Sequence, residues 1–161
     1  MKTLVIVRHA KSSWKYNVAD KERPLKGRGK TDAKLISGIF KKNEFKPDMV
    51  FSSPANRAHS TCKIFLENLE ISYKKLLIID QLYDFGGQNV MNFVKSLDDS
   101  LENVMLFGHN HAFTSIVNLL GSKYIDNLPT SGLAKINFDI NSWKEVQSGT
   151  TELLLLPSDF R

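Results

Sequence analysis

An uninterrupted run of four aliphatic residues, at positions 4–7, lies almost at the start of the chain and ends at Arg8. A run this short and this apolar is typical of a strand that is covered on both faces, as strands of parallel sheets are. Similar runs occupy residues 49–51, 76–79 and 104–107, and each is followed by apolar residues at helical spacing. Strands that alternate with helices in this way predict an α/β fold with a mostly parallel sheet.

The connecting segments predict helices over residues 27–42, 88–97 and 111–120, and a further helix after the second strand. That further helix has the clearest pattern, with apolar residues at i, i+3, i+4, i+7, i+8 and i+11 from Ala58. Ser53 is the expected N-cap of this helix and Pro54 its first residue.

The last part of the chain has a different pattern. Residues 134–138 alternate between apolar and polar side chains, 139–142 resemble a turn, and 153–156 form a final apolar run. This pattern predicts two strands that pair antiparallel. We therefore expect one three-layer α/β/α domain over residues 1–161, with a mostly parallel sheet and an antiparallel edge.

Composition narrows the class of protein. The chain of 161 residues has the length of one domain, and its single cysteine, Cys62, cannot form an internal disulfide. No apolar run is long enough for a membrane span or a secretory signal peptide, so we expect a cytoplasmic protein without a membrane partner. The oligomeric state is left open.

The net charge of +5 is concentrated in one segment. Between Arg8 and Lys34 there are nine Lys or Arg and three Asp or Glu. Such a segment favours an anionic ligand, and the alternative is a solvated helix face with a basic loop. RNA-binding motifs are absent and the aromatic residues do not interleave with the basic ones, so no nucleic-acid partner is expected.

Two histidines and two arginines follow the predicted strands. Arg8 and His9 come after the first strand, Arg57 after the second, and His109 after the fourth. Ligands of open α/β sheets bind at the carboxyl ends of the strands, so we expect these side chains to meet. Guanidinium groups match phosphate oxygens, and a neutral imidazole can attack phosphorus. The pattern indicates phosphoryl transfer.

Three dispersed motifs carry a family resemblance: RHAKSSW at 8–14, SSPANRA at 52–58 and GHN at 108–110. In this order they resemble the histidine phosphatase (phosphoglycerate mutase-like) superfamily. Arg23-Pro24-Leu25 with Gly29, and the short chain, are most similar to its SixA-type phosphohistidine phosphatase branch. One departure is Ala10, where the family usually has glycine. Ala10 is acceptable unless the backbone there requires a positive φ.

The resemblance implies a role for each matching position. His9 would be the nucleophile that becomes phosphorylated, Arg8 and Arg57 would bind the phosphate, and His109 would complete the pocket. Ser12 falls where relatives with a longer motif place a hydroxyl that contacts phosphate. The remaining candidates for substrate binding stand next to the two histidines: Lys11 and Asn110.

The general acid is open at this stage. Many members of the superfamily use a carboxylate after the third strand, where Asp84 is the candidate, although an aspartate before two glycines equally fits turn chemistry. SixA-type members lack this acid. A phosphohistidine substrate needs little help from an acid, because it leaves as imidazole, whose ordinary pKa is about 6.5.

We therefore expect a metal-independent phosphatase with no cofactor that acts on phosphohistidine of a signalling protein. The alternatives are a small-molecule phosphate-ester phosphatase or mutase of the same superfamily, and a binding module without catalysis. His109-Asn110-His111 could indicate a metal site, but residues 112–115 add no further ligands. Gly29-Lys30-Thr31 fails as a phosphate-binding loop because Pro24 stands where that motif needs glycine.

Overall fold

The computed structural model describes residues 1–161 and contains one six-stranded sheet. The strands are β1 (Lys2–Arg8), β2 (Met49–Ser52), β3 (Leu76–Ile78), β4 (Asn103–Gly108), β5 (Leu133–Phe138) and β6 (Thr150–Leu155). They lie in the order β3-β2-β4-β1-β5-β6. Strands β1 to β4 are parallel, β5 is antiparallel to β1, and β6 is antiparallel to β5. The predicted mostly parallel α/β fold is confirmed.

Four helices cover the two faces of the sheet: α1 (Gly27–Lys41), α2 (Asn56–Leu69), α3 (Gln88–Lys95) and α4 (Ala112–Leu120). The alternation of β1 sends Leu4 and Ile6 into one core with α3 and α4. Val5 and Val7 pack into a second core with α1 and α2. The four aliphatic residues are fully buried because both faces of β1 are covered. None of the helices is long and apolar enough to cross a membrane.

The interpretation of Ser53 as N-cap and Pro54 as first helical residue is wrong. Helix α2 begins at Asn56, with Ala55 as its N-cap. The Ser53 N–H donates to the Phe107 carbonyl at 3.0 Å. Because this bond continues the sheet ladder beyond the end of β2, the chain is still extended at Ser53, and the helix starts later.

Helix α1 packs closely against the segment that follows β1. A Cβ atom on Gly29 would lie 2.3 Å from the Lys11 carbonyl oxygen, so only glycine allows this approach. The Lys26 N–H donates to the same carbonyl at 2.9 Å, and the Ser13 N–H donates to the Pro24 carbonyl at 2.8 Å. These contacts fix the path of the chain immediately after the predicted nucleophile.

Candidate active site

The register of the sheet brings the predicted motifs to one edge. Arg8 in β1 lies opposite Gly108 in β4. The His9 N–H donates to the Gly108 carbonyl at 3.0 Å, and the bond from Ser53 to Phe107 holds the end of β2 against the same strand. The residues that follow three separate strands therefore meet at the carboxyl edge of the sheet, as the sequence predicted.

A cleft of about 530 Å³ opens at this edge, and its lining is strongly cationic. Five of its eleven lining residues are Lys or Arg, whereas one is a carboxylate. The lining residues are Arg8, His9, Lys11, Ser12, Trp14, Asp20, Arg23, Lys26, Arg57, Phe85 and Thr130. The predicted residues among them are Arg8, His9, Lys11, Ser12 and Arg57. Such a lining suits an anionic ligand.

His9 is held as a neutral imidazole with one defined tautomer. Its Nδ1 atom lies 2.7 Å from the Ala10 carbonyl oxygen. A carbonyl oxygen only accepts, so the ring hydrogen is on Nδ1 and the lone pair is on Nε2. Burial and the charges of Arg57 and Arg8 together lower the pKa of His9 to about 4, against the opposing effect of the Ala10 bond. At neutral pH Nε2 is therefore available as a nucleophile.

The two predicted arginines are held in different ways. Arg57 is 3% exposed and lies in the first turn of α2. It donates from Nη1 to the Asp20 carbonyl at 2.7 Å and from Nη2 to Asp20 Oδ2 at 3.0 Å. Arg8 donates from Nη1 to the Leu128 carbonyl at 2.8 Å. Both guanidinium groups are thus oriented before any ligand binds.

His109 is fully buried behind the cleft, and its ring centroid lies 5.3 Å from that of His9. Its Nε2 atom is 2.8 Å from Ser53 Oγ, which also accepts the Ala55 N–H at 3.2 Å. Because Ser53 Oγ has no other acceptor for its hydrogen within hydrogen-bond distance, we assign that hydrogen to the bond with Nε2 and the ring hydrogen of neutral His109 to Nδ1. Burial, together with the charges of His9 and Arg57, lowers the pKa of His109 to about 3.

Three buried side-chain polar atoms have no hydrogen-bond partner, and all three lie in or directly next to this site: Arg8 Nε, His109 Nδ1 and Ser131 Oγ. Ser131 adjoins the nucleophile, because its N–H donates to the carbonyls of Arg8 and His9 at 3.1 and 3.2 Å. Leaving a buried donor unpaired costs about 1–3 kcal/mol. Two of these three atoms, Arg8 Nε and His109 Nδ1, belong to side chains that the sequence predicts for phosphate binding.

Arg23 is a cleft residue to which the sequence assigned no role. It donates from Nη2 to Ser12 Oγ at 2.5 Å and from Nε to the Ser13 carbonyl at 3.3 Å. Its Nη1 atom lies 3.2 Å from Asp20 Oδ1, and its guanidinium carbon lies 3.3 Å from the centre of the Trp14 ring. The sequence signal that could have identified Arg23 is the Arg23-Pro24-Leu25 motif, which contributes to the family resemblance. No sequence signal identifies Asp20 as a cleft residue.

Asp84 and Asn110 do not line the cleft. Asp84 Oδ1 accepts the Gly86 N–H at 3.2 Å, and Oδ2 accepts the N–H groups of Gly87 and Val90 at 3.0 and 3.1 Å. Backbone N–H groups at the start of α3 therefore bond both carboxylate oxygens of this candidate acid. Asp84 stabilises the turn before α3, which is the alternative role that its sequence context indicated.

The Asn110 side chain is engaged within its own loop. Its Oδ1 accepts the Thr114 N–H at 3.1 Å and the Thr114 hydroxyl at 2.5 Å, and its Nδ2 donates to Asn127 at 2.5 Å. We therefore assign Asn110 to the geometry of the loop before α4. No group of three or more His, Cys, Asp or Glu side chains in the structure is placed to hold a metal ion.

Comparison with known proteins finds a family match over the first part of the chain. The family model of the histidine phosphatase superfamily (branch 1) matches residues 4–78, which include His9, Arg8 and Arg57. A relative in Mycobacterium tuberculosis, an uncharacterized protein, is 26% identical over 158 residues that cover 92% of this chain and 96% of the relative. The fold is α/β, and the arginines lie in a cationic cleft at the carboxyl edge of its sheet, next to the paired histidines. Over residues 4–78 the chain is similar to the histidine phosphatase superfamily.

Solved structures share the complete fold. The protein histidine phosphatase SixA in complex with tungstate is 20% identical, with a TM-score of 0.83 and 99% of each chain covered. A protein from Agrobacterium tumefaciens assigned as a phosphohistidine phosphatase SixA is also 20% identical, with a TM-score of 0.80 and 97% of this chain and 98% of that chain covered. These matches cover 97–99% of the chain, whereas the family model ends at residue 78, before β4 and the His109 that follows it.

Proposed function

We propose that this protein is a metal-independent phosphatase that forms a phosphohistidine on His9 and acts on phosphohistidine of a protein. The observation that carries the proposal is the state of His9. Its imidazole is neutral, its hydrogen is fixed on Nδ1, and it lies in a cleft with three arginines. A nucleophile for phosphorus needs this combination of a lone pair on Nε2 and fixed positive charge around the phosphoryl oxygens.

The reaction would proceed in two displacements. In the first, Nε2 of His9 forms an N–P bond while the bond from phosphorus to the leaving group breaks, and the leaving group takes that electron pair. In the second, water attacks phosphorus, the N–P bond breaks, and its electron pair returns to Nε2. Arg8, Arg57 and the Nδ1 hydrogen of His109 would donate to the equatorial oxygens, where charge accumulates in both transition states.

The shape of the cleft favours a protein substrate. Trp14 is 77% exposed and Phe85 is 45% exposed, although both line the cleft. A site for a small metabolite normally encloses most of its ligand. A cleft whose aromatic residues face solvent leaves room for a phosphorylated side chain that projects from a folded domain. The SixA structures with the same fold are described as phosphohistidine phosphatases, which agrees with this choice.

The test is a comparison of three substrates under one set of conditions. A small histidine protein phosphorylated with phosphoramidate, p-nitrophenyl phosphate and 3-phosphoglycerate are each incubated with the protein, and initial rates give kcat/KM. We expect kcat/KM to be highest for the phosphohistidine protein. A higher value for either ester would instead support the small-molecule phosphatase.

A second arm tests the covalent intermediate. Rapid quenching at alkaline pH, where phosphohistidine is stable, should trap label from the substrate on His9. The variant His9→Asn should trap none and show no turnover, while its circular dichroism spectrum remains that of the folded protein. Turnover in His9→Asn equal to that of the original protein would contradict the proposal.

A further inference from the structure

The cleft contains one carboxylate among five cationic side chains, and that carboxylate is Asp20. Its position is specific. Oδ1 lies 3.2 Å from Nη1 of Arg23, and Oδ2 lies 3.0 Å from Nη2 of Arg57. Oδ2 also accepts the Tyr83 hydroxyl at 2.5 Å. A carboxylate in a site for phosphate reduces the attraction for the anion, so its presence points to a chemical task rather than to binding.

No other carboxylate lines the cleft. Asp84 is engaged by three backbone N–H groups at the start of α3. Glu22 belongs to the same short 3-10 turn as Asp20 (Asp20–Glu22) and does not line the cleft. Asp20 itself is 42% exposed at its side chain, so it can contact both the bound phosphoryl group and solvent.

We propose that Asp20 is the proton-transfer residue of this site, a step that rests on the proposed phosphatase function. In the first displacement the protonated Asp20 carboxyl gives its proton to the leaving atom as the bond to phosphorus breaks. In the second, the Asp20 carboxylate takes a proton from the attacking water as the N–P bond to His9 breaks. The proton that leaves in one step is thus regained in the other.

The contacts of Asp20 explain how its protonation would change with binding. Burial alone would raise the pKa of Asp20, but Tyr83, Arg57 and Arg23 together stabilise the charged form more strongly and hold this pKa at about 2. A phosphoryl group that takes over the Arg57 donors removes part of this stabilisation and adds negative charge beside the carboxylate. Both changes raise the pKa of Asp20, so the carboxyl becomes able to carry a proton when substrate is bound.

Asp20→Asn separates proton transfer from positioning, because the amide keeps the shape and one acceptor but cannot donate a proton as an acid. The substrates are a series of substituted phenyl phosphates from p-nitrophenyl phosphate to phenyl phosphate, together with phosphoimidazole. Phenol, like tyrosine, has an ordinary pKa of about 10, whereas that of imidazole is about 6.5. Proton transfer by a side chain contributes roughly 10²–10⁴-fold, and the need for it grows with the pKa of the leaving group.

We therefore expect Asp20→Asn to lower kcat/KM for phenyl phosphate by about 100-fold or more, and for phosphoimidazole by less than about tenfold. Because kcat/KM reports only the first displacement, the plot of log kcat/KM against leaving-group pKa becomes steeper. Glu22→Gln, which removes the same charge from the same turn, should leave the plot unchanged. A uniform loss of kcat/KM across all substrates would overturn the assignment, because it would mean that Asp20 acts only by orienting the arginines.

Tungstate binding provides a readout that does not depend on turnover. Asp20→Asn should bind tungstate at least as tightly as the original protein, because a competing negative charge is removed. Binding weakened by more than about tenfold would assign Asp20 to arginine positioning and overturn the proposal. If the original protein hydrolyses none of the substrates, the proposed phosphatase function is contradicted, and with it the assignment of Asp20 as proton-transfer residue. If it hydrolyses them and the slope is unchanged in Asp20→Asn, the assignment of Asp20 alone fails.

Discussion

The hydroxyl of Thr61 holds the backbone of Ala10 in place. Thr61 Oγ1 accepts the Ala10 N–H at 2.8 Å and donates to the Arg57 carbonyl at 2.7 Å, and the Thr61 side chain is fully buried. One side chain therefore connects the segment after the nucleophile with the helical turn that carries the phosphate-binding arginine. Ala10 is not among the residues with positive φ, which explains why alanine is accepted where the family usually has glycine.

Replacing Thr61 by valine should disturb the site without changing the volume of the core. Thr61→Val leaves the buried Ala10 N–H without an acceptor, so we expect the free energy of unfolding to fall by about 1–3 kcal/mol. We also expect kcat to fall, because the carbonyl that sets the His9 tautomer belongs to Ala10. Urea denaturation and steady-state kinetics measure the two effects. Thr61→Ser keeps the hydroxyl and serves as control, and an unchanged kcat in Thr61→Val would contradict the coupling.

The tautomer and charge of His9 can be observed directly. With a pKa of about 4, His9 should remain neutral from about pH 8 down to about pH 5, with its hydrogen on Nδ1. Nitrogen-15 NMR of the imidazole distinguishes the two nitrogens and detects protonation. In urea the same residue should titrate at its ordinary pKa of about 6.5. A folded-state titration near that value would show that burial and the arginines do not act as inferred.

The same pKa makes stability depend on pH. Between about pH 4 and about pH 6.5 the unfolded chain binds a proton at His9 that the folded protein does not. The free energy of unfolding should therefore fall as the pH drops through this window, by an amount on the order of 3 kcal/mol for His9. Urea denaturation at several pH values measures the slope. His9→Gln removes one of the two histidines with a lowered pKa and should make the curve less steep, while His109 keeps its share; an equally steep curve in this variant would assign the effect to other residues.

Particular residues show how far the sequence could predict this structure. The aliphatic run at residues 4–7 predicts β1, because a strand that is covered on both faces needs apolar side chains on both. The ends of the predicted strands place Arg8, His9, Arg57 and His109 at one edge of the sheet. Ser53 was misinterpreted because a local signal, serine before proline, was overridden by a sheet bond to Phe107.

Asp20 could not be predicted from local sequence. Its carboxylate meets Arg57, which is 37 positions away, and Tyr83, which is 63 positions away. These contacts depend on how the loop after β1 packs against α2 and on the turn after β3, and no periodic pattern encodes either. Asp84, by contrast, makes contacts that its local sequence indicates, because an aspartate before two glycines is typical of a turn and its oxygens accept the Gly86 and Gly87 N–H groups.

Arg23 should contribute to phosphate affinity through the geometry of its guanidinium group. It bonds Ser12 and Asp20 and stacks on Trp14, so a lysine, with one point of charge, cannot make the same contacts. We expect Arg23→Lys to weaken tungstate binding by about 10- to 100-fold, as loss of a charge-assisted hydrogen bond does. Isothermal titration calorimetry measures the change. Arg28→Lys, an exposed position in α1, is the matched control, and equal affinities in both variants would remove Arg23 from the phosphate site.

The pair between Asp32 and Arg161 should stabilise the fold without affecting catalysis. Asp32 in α1 is 3% exposed, and Arg161 donates to its two oxygens at 3.0 and 2.9 Å. Arg161→Ala leaves a buried carboxylate without its partner, so we expect the free energy of unfolding to fall. In an Asp32→Asn background the same change should cost less, because no buried charge is left behind. Urea denaturation of the original protein, the two single variants and the double variant gives the four free energies of this double-mutant cycle. Equal losses in both backgrounds would mean that Arg161 stabilises the chain by packing alone.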